Sequence, residues 1–234
     1  MSEFFSEPAL EVASGETPVF TLIWLHGLGA DGSDFLPVAG ELGLPPGLPG
    51  RFVFPHAPWR RVTCNGGYEM RAWYDILSLQ ANAREIDERH LQEAVVAVQG
   101  LIERERGRGM PAERIFLAGF SQGGAVAYAS GLAAAQRLGG VIALSTYIAC
   151  ERQLRGACRN DVALFAAHGT ADEVVAPQLG RRAYAFAQEQ GVVDAEWHDY
   201  PIGHNVCLEE IRAVGRWLRQ RLAAGSAVGA AGSA

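Results

Sequence analysis

A serine in the pentapeptide Gly-Phe-Ser-Gln-Gly, at residues 119–123, is the first candidate for chemistry in this chain. A serine hydroxyl is a weak nucleophile until a neighbouring base takes its proton, and the base in turn needs a group that orients it. Asp172 and His204 lie further along the chain and could supply the acid and the base. The order serine, acid, histidine is one in which such triads occur, so the spacing predicts acyl transfer through Ser121.

The strand and helix predicted on either side of Ser121 strengthen the evidence that the short motif is functional. With 28 glycines in 234 residues, the bare pattern is only suggestive, because chance alone would produce it about one time in seven. However, residues 115–118 form an apolar run typical of a buried strand, and residues 122–127 are typical of a helix start. The order strand, serine turn and helix is the nucleophile elbow of the α/β-hydrolase fold. Glycines at 119 and 123 would avoid collisions in that strained turn.

The same strand pattern positions the proposed acid and base. Residues 162–167 predict a strand that ends shortly before Asp172, and residues 195–200 predict another strand. The loop after the second strand carries His204, and a helix is expected over about 206–222. Because parallel strands end at one edge of a sheet, the three side chains are expected to meet there.

Each of the three candidates also has a structural interpretation. Ser121 could cap a helix, Asp172 could be a turn residue, and His204 could be structural. Two carboxylates and three histidines are rivals for the acid and base or act as loop-fixing residues: Asp161, Asp199, His26, His168 and His198. Asp199 and His198 fall inside a predicted strand, which makes both weaker candidates. We expect His26 and His168 to hold loops in place.

A glycine-rich loop at residues 26–32 follows the apolar run at residues 20–25. In acyl-transfer sites one backbone N–H from such a loop and one from the residue after the nucleophile hold the oxyanion. We therefore expect the N–H groups of Leu28 and Gln122 to form the oxyanion hole. A plain turn is the alternative, and the chain has no lysine for a phosphate-binding G-K-[ST] motif.

Several longer segments, in order along the chain, carry a family resemblance: IWLHGLGADGSDF, FPHAPWRRVTCNGGYEMRAWYDI, AGFSQGGAVA, ALSTY, HGTADEVV and GH. Together they resemble the carboxylesterase and acyl-protein thioesterase family of α/β-hydrolases over about residues 8 to 222. The resemblance implies a cofactor-free serine hydrolase with these site residues: the triad Ser121, Asp172 and His204, the oxyanion donors Leu28 and Gln122, and an acyl groove near Trp73 and Tyr74. Thr146 stands where many members carry glycine, and we expect it at the rim of the site.

The segment from residue 55 to residue 76 predicts neither a helix nor a strand. Prolines and glycines interrupt it, and it carries the aromatic residues Trp59, Tyr68, Trp73 and Tyr74. A long aromatic loop beside an active site commonly walls a substrate groove. Filling the core beneath the loop is an equally good interpretation of each ring.

Composition excludes several classes of function. The net charge of −6 disfavours a nucleic-acid partner, and no apolar run is long enough to predict stable membrane insertion. The first residues lack the pattern of a signal peptide, so a cytoplasmic location is expected. The four cysteines and the histidines show no metal-ligand spacing, and we expect neither a metal nor another cofactor.

These observations predict one α/β-hydrolase domain over residues 1–222, with a mostly parallel central sheet, helices on both faces and no large lid domain. Residues 223–234 are small and uncharged and are expected to form a disordered tail. The expected function is a serine carboxylesterase that hydrolyses soluble short-to-medium acyl esters through an acyl-enzyme. An acyl-protein thioesterase or a lysophospholipase would use the same triad. A peptidase, a non-catalytic binding protein and a homodimer remain alternatives to test.

Overall fold

The computed structural model describes residues 4–80 and 83–231, and in these a seven-stranded sheet forms the central layer. The strands, in chain order, are β1 Leu10–Ala13, β2 Phe20–Leu25, β3 Gly50–Phe54, β4 Trp59–Val62, β5 Tyr68–Arg71, β6 Ile76–Gln80, β7 Ala83–Ile86, β8 Ile115–Phe120, β9 Gly140–Leu144, β10 Leu164–Gly169 and β11 Ala195–Tyr200. The helices are α1 Val38–Glu41, α2 Glu88–Gly107, α3 Gln122–Leu132, α4 Glu151–Leu154, α5 Pro177–Glu189 and α6 Leu208–Ala231.

The sheet has the strand order β1-β3-β2-β8-β9-β10-β11. Only β1 is antiparallel to its neighbour, and the other pairs of the sheet are parallel. The loops after β2, β8, β10 and β11 therefore emerge at one edge. This mostly parallel α/β arrangement confirms the predicted fold class.

Strand β2 shows why the sheet is covered on both faces. Phe20, Leu22 and Trp24 point into a core that includes side chains of α1 and α6. Ile23 and Leu25 alternate with them and point into a second core, against α2, α3 and α5. Because both faces are buried, the strand is apolar at every position except Thr21 and does not alternate between apolar and polar residues.

The chain between β3 and α2 folds into two small hairpins. Strands β4 and β5 pair with each other, as do β6 and β7, and neither pair joins the main sheet. The sequence predicts no strand between residues 55 and 76, so the β4–β5 hairpin corrects that prediction. Its two strands have only four residues each. Their aromatic residues, Trp59 and Tyr68, are exposed, so the strands lack the alternation of buried apolar and exposed polar residues by which a strand is detected.

Helix α6 runs from Leu208 to Ala231 and so differs from the sequence expectation at its end. Where the composition predicts a disordered tail from residue 223, the backbone stays helical up to Ala231, because alanine has the best helix propensity and no proline interrupts the segment. Residues 232–234 of that predicted tail lie outside the described residues. No helix in the described part of the chain is long and apolar enough to cross a membrane.

Candidate active site

Ser121 occupies the tight turn between β8 and α3, as the pentapeptide predicts. Its backbone has φ 53° and ψ −119°, a conformation that non-glycine residues rarely adopt. A Cβ atom at position 119 would lie 2.3 Å from the carbonyl oxygen of Gly123, and one at position 123 would lie 2.3 Å from that of Leu25. Only glycine fits at either place, so the turn can hold the serine at the edge of the sheet.

A continuous hydrogen-bonded chain joins the three predicted residues. The Oγ atom of Ser121 lies 2.9 Å from Nε2 of His204, and Nδ1 of that ring lies 2.8 Å from Oδ2 of Asp172. A carboxylate accepts, so Nδ1 carries the proton and Nε2 is free to accept the serine proton. Both partners come from loops at the same sheet edge, after β10 and β11.

The carboxylate of Asp172 is held in its ionised form. Burial alone would raise its pKa, but hydrogen bonds from His168, His204 and the backbone N–H of Val175 lower the pKa well below its ordinary value. A group with so low a pKa stays charged at neutral pH. It can therefore fix the tautomer of His204 and stabilise a positive charge on that ring.

His168 is a second ring on the same carboxylate. Its Nε2 lies 2.9 Å from the carbonyl oxygen of Val175 and 3.3 Å from Oδ2 of Asp172. Since a carbonyl only accepts, this nitrogen carries a proton shared between the two oxygens. The ring thus ties the loop after β10 to its own strand end, and the loop-fixing prediction is confirmed. The spacing His-Gly-Thr-Ala-Asp was the available signal for the contact with Asp172.

The rival residues lie in other contacts. Asp199 is paired with Arg181 on the surface, and Asp161 forms an ion pair of 2.7 Å with Arg159. His198 is partly exposed and stacks on a phenylalanine of β10. Asp161, Asp199 and His198 make no hydrogen bond to His204 or Ser121, which are instead joined to each other and to Asp172.

The two predicted oxyanion donors are in suitable backbone positions. Gln122 is the first residue of α3, so its N–H has no acceptor within the helix. No acceptor for the N–H of Leu28 is found among the turn and loop hydrogen bonds of residues 4–80 and 83–231. Leu28 and Gln122 both line the cleft that contains Ser121. The two amides are thus available to an oxyanion beside the serine.

His26 holds the loop that carries Leu28. Its Nδ1 donates to the carbonyl oxygen of Gly27 at 2.7 Å, and its Nε2 accepts from the N–H of Ala57 at 2.9 Å. Burial lowers the pKa of this ring to about 4, so it is neutral at neutral pH and keeps one donor and one acceptor. The loop-fixing prediction for His26 is confirmed.

Trp73 and Tyr74 do not line the cleft, in contrast to the groove implied by the family resemblance. Both side chains are fully buried. The indole of Trp73 donates to the carbonyl oxygen of His26 at 2.8 Å, and the hydroxyl of Tyr74 lies 2.7 Å from that of Tyr147. The rings face inward because both polar groups find their partners there.

The side chain of Gln122 has a role that the sequence reasoning missed. Its Oε1 accepts from the backbone N–H of Trp73 at 2.8 Å, and its Nε2 donates to the carbonyl oxygen of Tyr74 at 2.8 Å. This side chain therefore ties the start of α3 to the segment between β5 and β6. A polar side chain among apolar residues at a helix start was the available signal.

The cleft above Ser121 has a volume of about 500 Å³. Its apolar wall comes from the loops after β2 and β10, from the β6–β7 hairpin and from residues near the triad: Leu28, Phe35, Ile76, Leu79, Val174, Val175 and Val206. Such a wall suits an acyl chain and not a highly charged ligand. Residues 4–80 and 83–231 contain no group of three or more His, Cys, Asp or Glu residues that could hold a metal ion.

A mostly parallel sheet with a serine elbow after one strand, and an acid and a histidine after later strands, defines the α/β-hydrolases, and the chain is a hydrolase of that class. The family model described as phospholipase/carboxylesterase matches residues 8–222. The chain belongs to the phospholipase/carboxylesterase family.

Relatives within that family agree in sequence and in fold. An acyl-protein thioesterase 1 from Mycosarcoma maydis is 37% identical over 88% of this chain and 93% of its own length. The crystal structure of Arabidopsis thaliana SOBER1 matches with a TM-score of 0.81 and 32% identity, over 87% of this chain and 99% of that one. The crystal structure of Zea mays acyl-protein thioesterase 2 gives a TM-score of 0.81 at 26% identity, over 92% and 98%.

Proposed function

We propose that this protein is a serine carboxylesterase that hydrolyses short-to-medium acyl esters through an acyl-enzyme intermediate. The observation that carries the proposal is the hydrogen-bonded chain from Ser121 through His204 to Asp172, with distances of 2.9 Å and 2.8 Å. These distances are within the range that proton transfer between a nucleophile and its general base requires.

In the first half of the reaction, Nε2 of His204 takes the hydroxyl proton as Oγ of Ser121 attacks the ester carbonyl carbon. The carbonyl oxygen becomes an oxyanion, which accepts hydrogen bonds from the N–H groups of Leu28 and Gln122. Asp172 stabilises the imidazolium that has formed. The tetrahedral intermediate then collapses, His204 gives its proton to the leaving alcohol, and the acyl group stays on Ser121.

In the second half, a water molecule replaces the alcohol. His204 takes a proton from the water as the water oxygen attacks the acyl carbon, and the same two amides hold the second oxyanion. Collapse returns the proton to Oγ of Ser121 and releases the carboxylic acid. The enzyme is then in its starting state, and the net reaction is ester hydrolysis with no cofactor consumed.

A thioester substrate is the second candidate. The same steps apply with a thiol leaving group, and relatives that are 34–37% identical are named acyl-protein thioesterase 1. The name of the matched family also includes phospholipases, which keeps a lysophospholipid ester among the substrates to test. The apolar wall of the cleft suits the acyl part of all three substrates and does not separate their leaving groups.

The first experiment tests the nucleophile. A fluorophosphonate probe should label the wild-type protein, and Ser121→Ala should abolish labelling and lower kcat for p-nitrophenyl butyrate by roughly 10⁶. Ser130→Ala is a matched control, because it removes another buried hydroxyl, from the α3 helix that follows Ser121, and this hydroxyl has no hydrogen-bond partner. The control should keep labelling and activity. Ester hydrolysis above a few per cent in Ser121→Ala would contradict the proposal.

A second experiment separates the substrate classes. Values of kcat/KM are compared for p-nitrophenyl esters of two to eight carbons, an S-palmitoylated peptide and a lysophosphatidylcholine. The carboxylesterase proposal expects the short-to-medium esters to be turned over most efficiently. A clear preference for the palmitoylated peptide would mean that the protein is an acyl-protein thioesterase and not a carboxylesterase. Ser121→Ala should be inactive toward every substrate in either case.

A further inference from the structure

Thr146 lies beneath the elbow and not at the rim of the cleft, where the sequence comparison with the family led us to expect it. It follows β9 closely and is buried, and it is absent from the lining of the cleft. Its Oγ1 donates a hydrogen bond to the backbone carbonyl oxygen of Ser121, with a separation of 2.6 Å. We propose that Thr146 is a positioning residue that aims the oxyanion-donating amide of Gln122.

The physical link is a single peptide unit. The carbonyl group of Ser121 and the N–H group of Gln122 belong to the same planar, trans peptide bond, so they point in opposite directions and rotate together. A hydrogen bond that fixes the carbonyl oxygen on one side therefore fixes the direction of the N–H on the other. The bond also polarises the amide and strengthens its N–H as a donor.

This peptide unit lies in a strained turn between two elements, and α3 holds it only through the first hydrogen bond of the helix. Ser121 has φ 53° and ψ −119°, so its backbone continues neither the strand geometry of β8 nor the helical geometry of α3. The other partner of its carbonyl is the N–H of Ala125, at 3.2 Å, the first hydrogen bond of α3. The contact with Thr146 is shorter, at 2.6 Å, and comes from the loop directly after β9.

The Thr146 side chain is itself held in one orientation. A Cβ atom added to Gly124 would lie 2.7 Å from Cβ and 2.8 Å from Cγ2 of Thr146, which shows how closely the helix backbone approaches this side chain. A β-branched residue has few χ1 choices, and this packing removes the others. The hydroxyl is thus directed at the elbow by sterics.

The inference rests on the proposed function, since it takes the amide of Gln122 as an oxyanion donor. Thr146→Ala and Thr146→Ser form the matched pair that tests it, because both lose the methyl group and they differ only in the hydroxyl. Removing a whole oxyanion donor costs about 10²–10³ in kcat, so misaiming one is expected to cost about 10-fold to 100-fold. Thr146→Ala should show that loss in kcat with little change in KM, and Thr146→Ser should stay within about threefold of wild type.

A purely structural role is excluded by two further readouts. Active-site titration with the fluorophosphonate gives the concentration of competent sites, so that kcat is expressed per folded molecule. A trifluoromethyl ketone inhibitor forms a hemiketal oxyanion on Ser121, and its affinity for Thr146→Ala should fall by the same factor as kcat/KM. Ser145→Ala serves as the control, because it removes the adjacent buried hydroxyl, which has no hydrogen-bond partner.

Three results would overturn the inference: equal kcat in the alanine and serine variants, a loss confined to KM, or unchanged ketone affinity in Thr146→Ala. If the alanine variant does not fold, Thr146→Cys, which keeps a side chain of similar size with a weak donor, is compared with Thr146→Ser in the same assays. Failure of the proposed function is recognised separately, by activity remaining in Ser121→Ala.

Discussion

At the scale of single residues, Asp172 shows how much of the site is built around one carboxylate. Its Oδ2 faces the rings of His204 at 2.8 Å and His168 at 3.3 Å. Its Oδ1 accepts from the backbone N–H groups of Val174 at 2.9 Å and Val175 at 2.8 Å. All of these contacts favour the charged form, so the side chain is both ionised and fixed in direction.

Asp172→Asn is expected to lower kcat by about 10⁴, by analogy with other serine triads, because an amide no longer selects the productive tautomer of His204. The measurement is kcat for a p-nitrophenyl ester together with circular dichroism to verify the fold. Asp199→Asn is the matched control, since that carboxylate pairs with Arg181 on the surface. A small effect in the first variant and a large one in the second would reassign the acid.

At the scale of elements, the site depends on how closely α3 approaches the sheet. A Cβ atom at Gly123 would lie 2.3 Å from the carbonyl oxygen of Leu25 and 2.5 Å from that of His26. Those oxygens belong to the end of β2 and to the loop that carries Leu28. The helix can therefore place Gln122 opposite that loop only while residue 123 has no side chain.

Gly123→Ala should destabilise the protein by more than about 2 kcal/mol, because neither backbone can move without disturbing the sheet. Gly100→Ala is the matched control: it lies in the exposed part of α2, where an added Cβ meets nothing within 4 Å. That variant should gain about 0.5–1 kcal/mol through helix propensity. Urea denaturation measures the change in unfolding free energy of each variant. Equal changes in the two variants would show that the close approach of the backbone at Gly123 does not affect stability.

At the scale of the whole molecule, two apolar cores cover the faces of one sheet, and α6, which packs into one of them, carries a buried carboxyl group. Glu210, in the first turn of α6, is fully buried. Its Oε1 has no hydrogen-bond partner, and its Oε2 has only the N–H of Cys207 at 3.4 Å. Burial raises the pKa of Glu210 from 4.5 to about 7. Between these two pH values the native state therefore keeps a proton on Glu210 that the unfolded chain has released.

The stability of the protein should therefore depend on pH through Glu210. Below its ordinary pKa of 4.5 the group is protonated in both states and costs nothing. As the pH rises to about 7 the unfolded state ionises first, so the free energy of unfolding falls, and above that it levels off. The loss is on the order of 3 kcal/mol.

Glu210→Gln should remove this dependence, because an amide does not titrate in this range. Urea denaturation of the wild type and the variant at several pH values from 4.5 to 8 measures the difference. The two curves of unfolding free energy against pH should diverge as the pH rises, because the wild type loses stability and the variant does not. Parallel curves would mean that Glu210 is already ionised in the native protein.

The sequence alone predicted the strand, turn and helix around Ser121, the strands that precede Asp172 and His204, and the identity of the triad candidates. Buried parallel strands appear as apolar runs, and a strained turn between a strand and a helix requires glycines at fixed spacing, so both signals are local. Parallel strands end at one edge, which made a meeting of Ser121, Asp172 and His204 predictable. The hairpins between β3 and α2 escaped prediction because their short strands carry no periodic pattern.

Only the tertiary structure decided which side chains face the cleft and which hold it together. Trp73 and Tyr74 turn inward, and Thr146 reaches the carbonyl of Ser121 from 25 residues further along the chain. His168 shares its proton with the loop that carries Asp172. Such contacts depend on the direction of each side chain and on distances between segments that are remote in sequence. Local propensity and spacing contain neither quantity, because packing of the whole chain sets both.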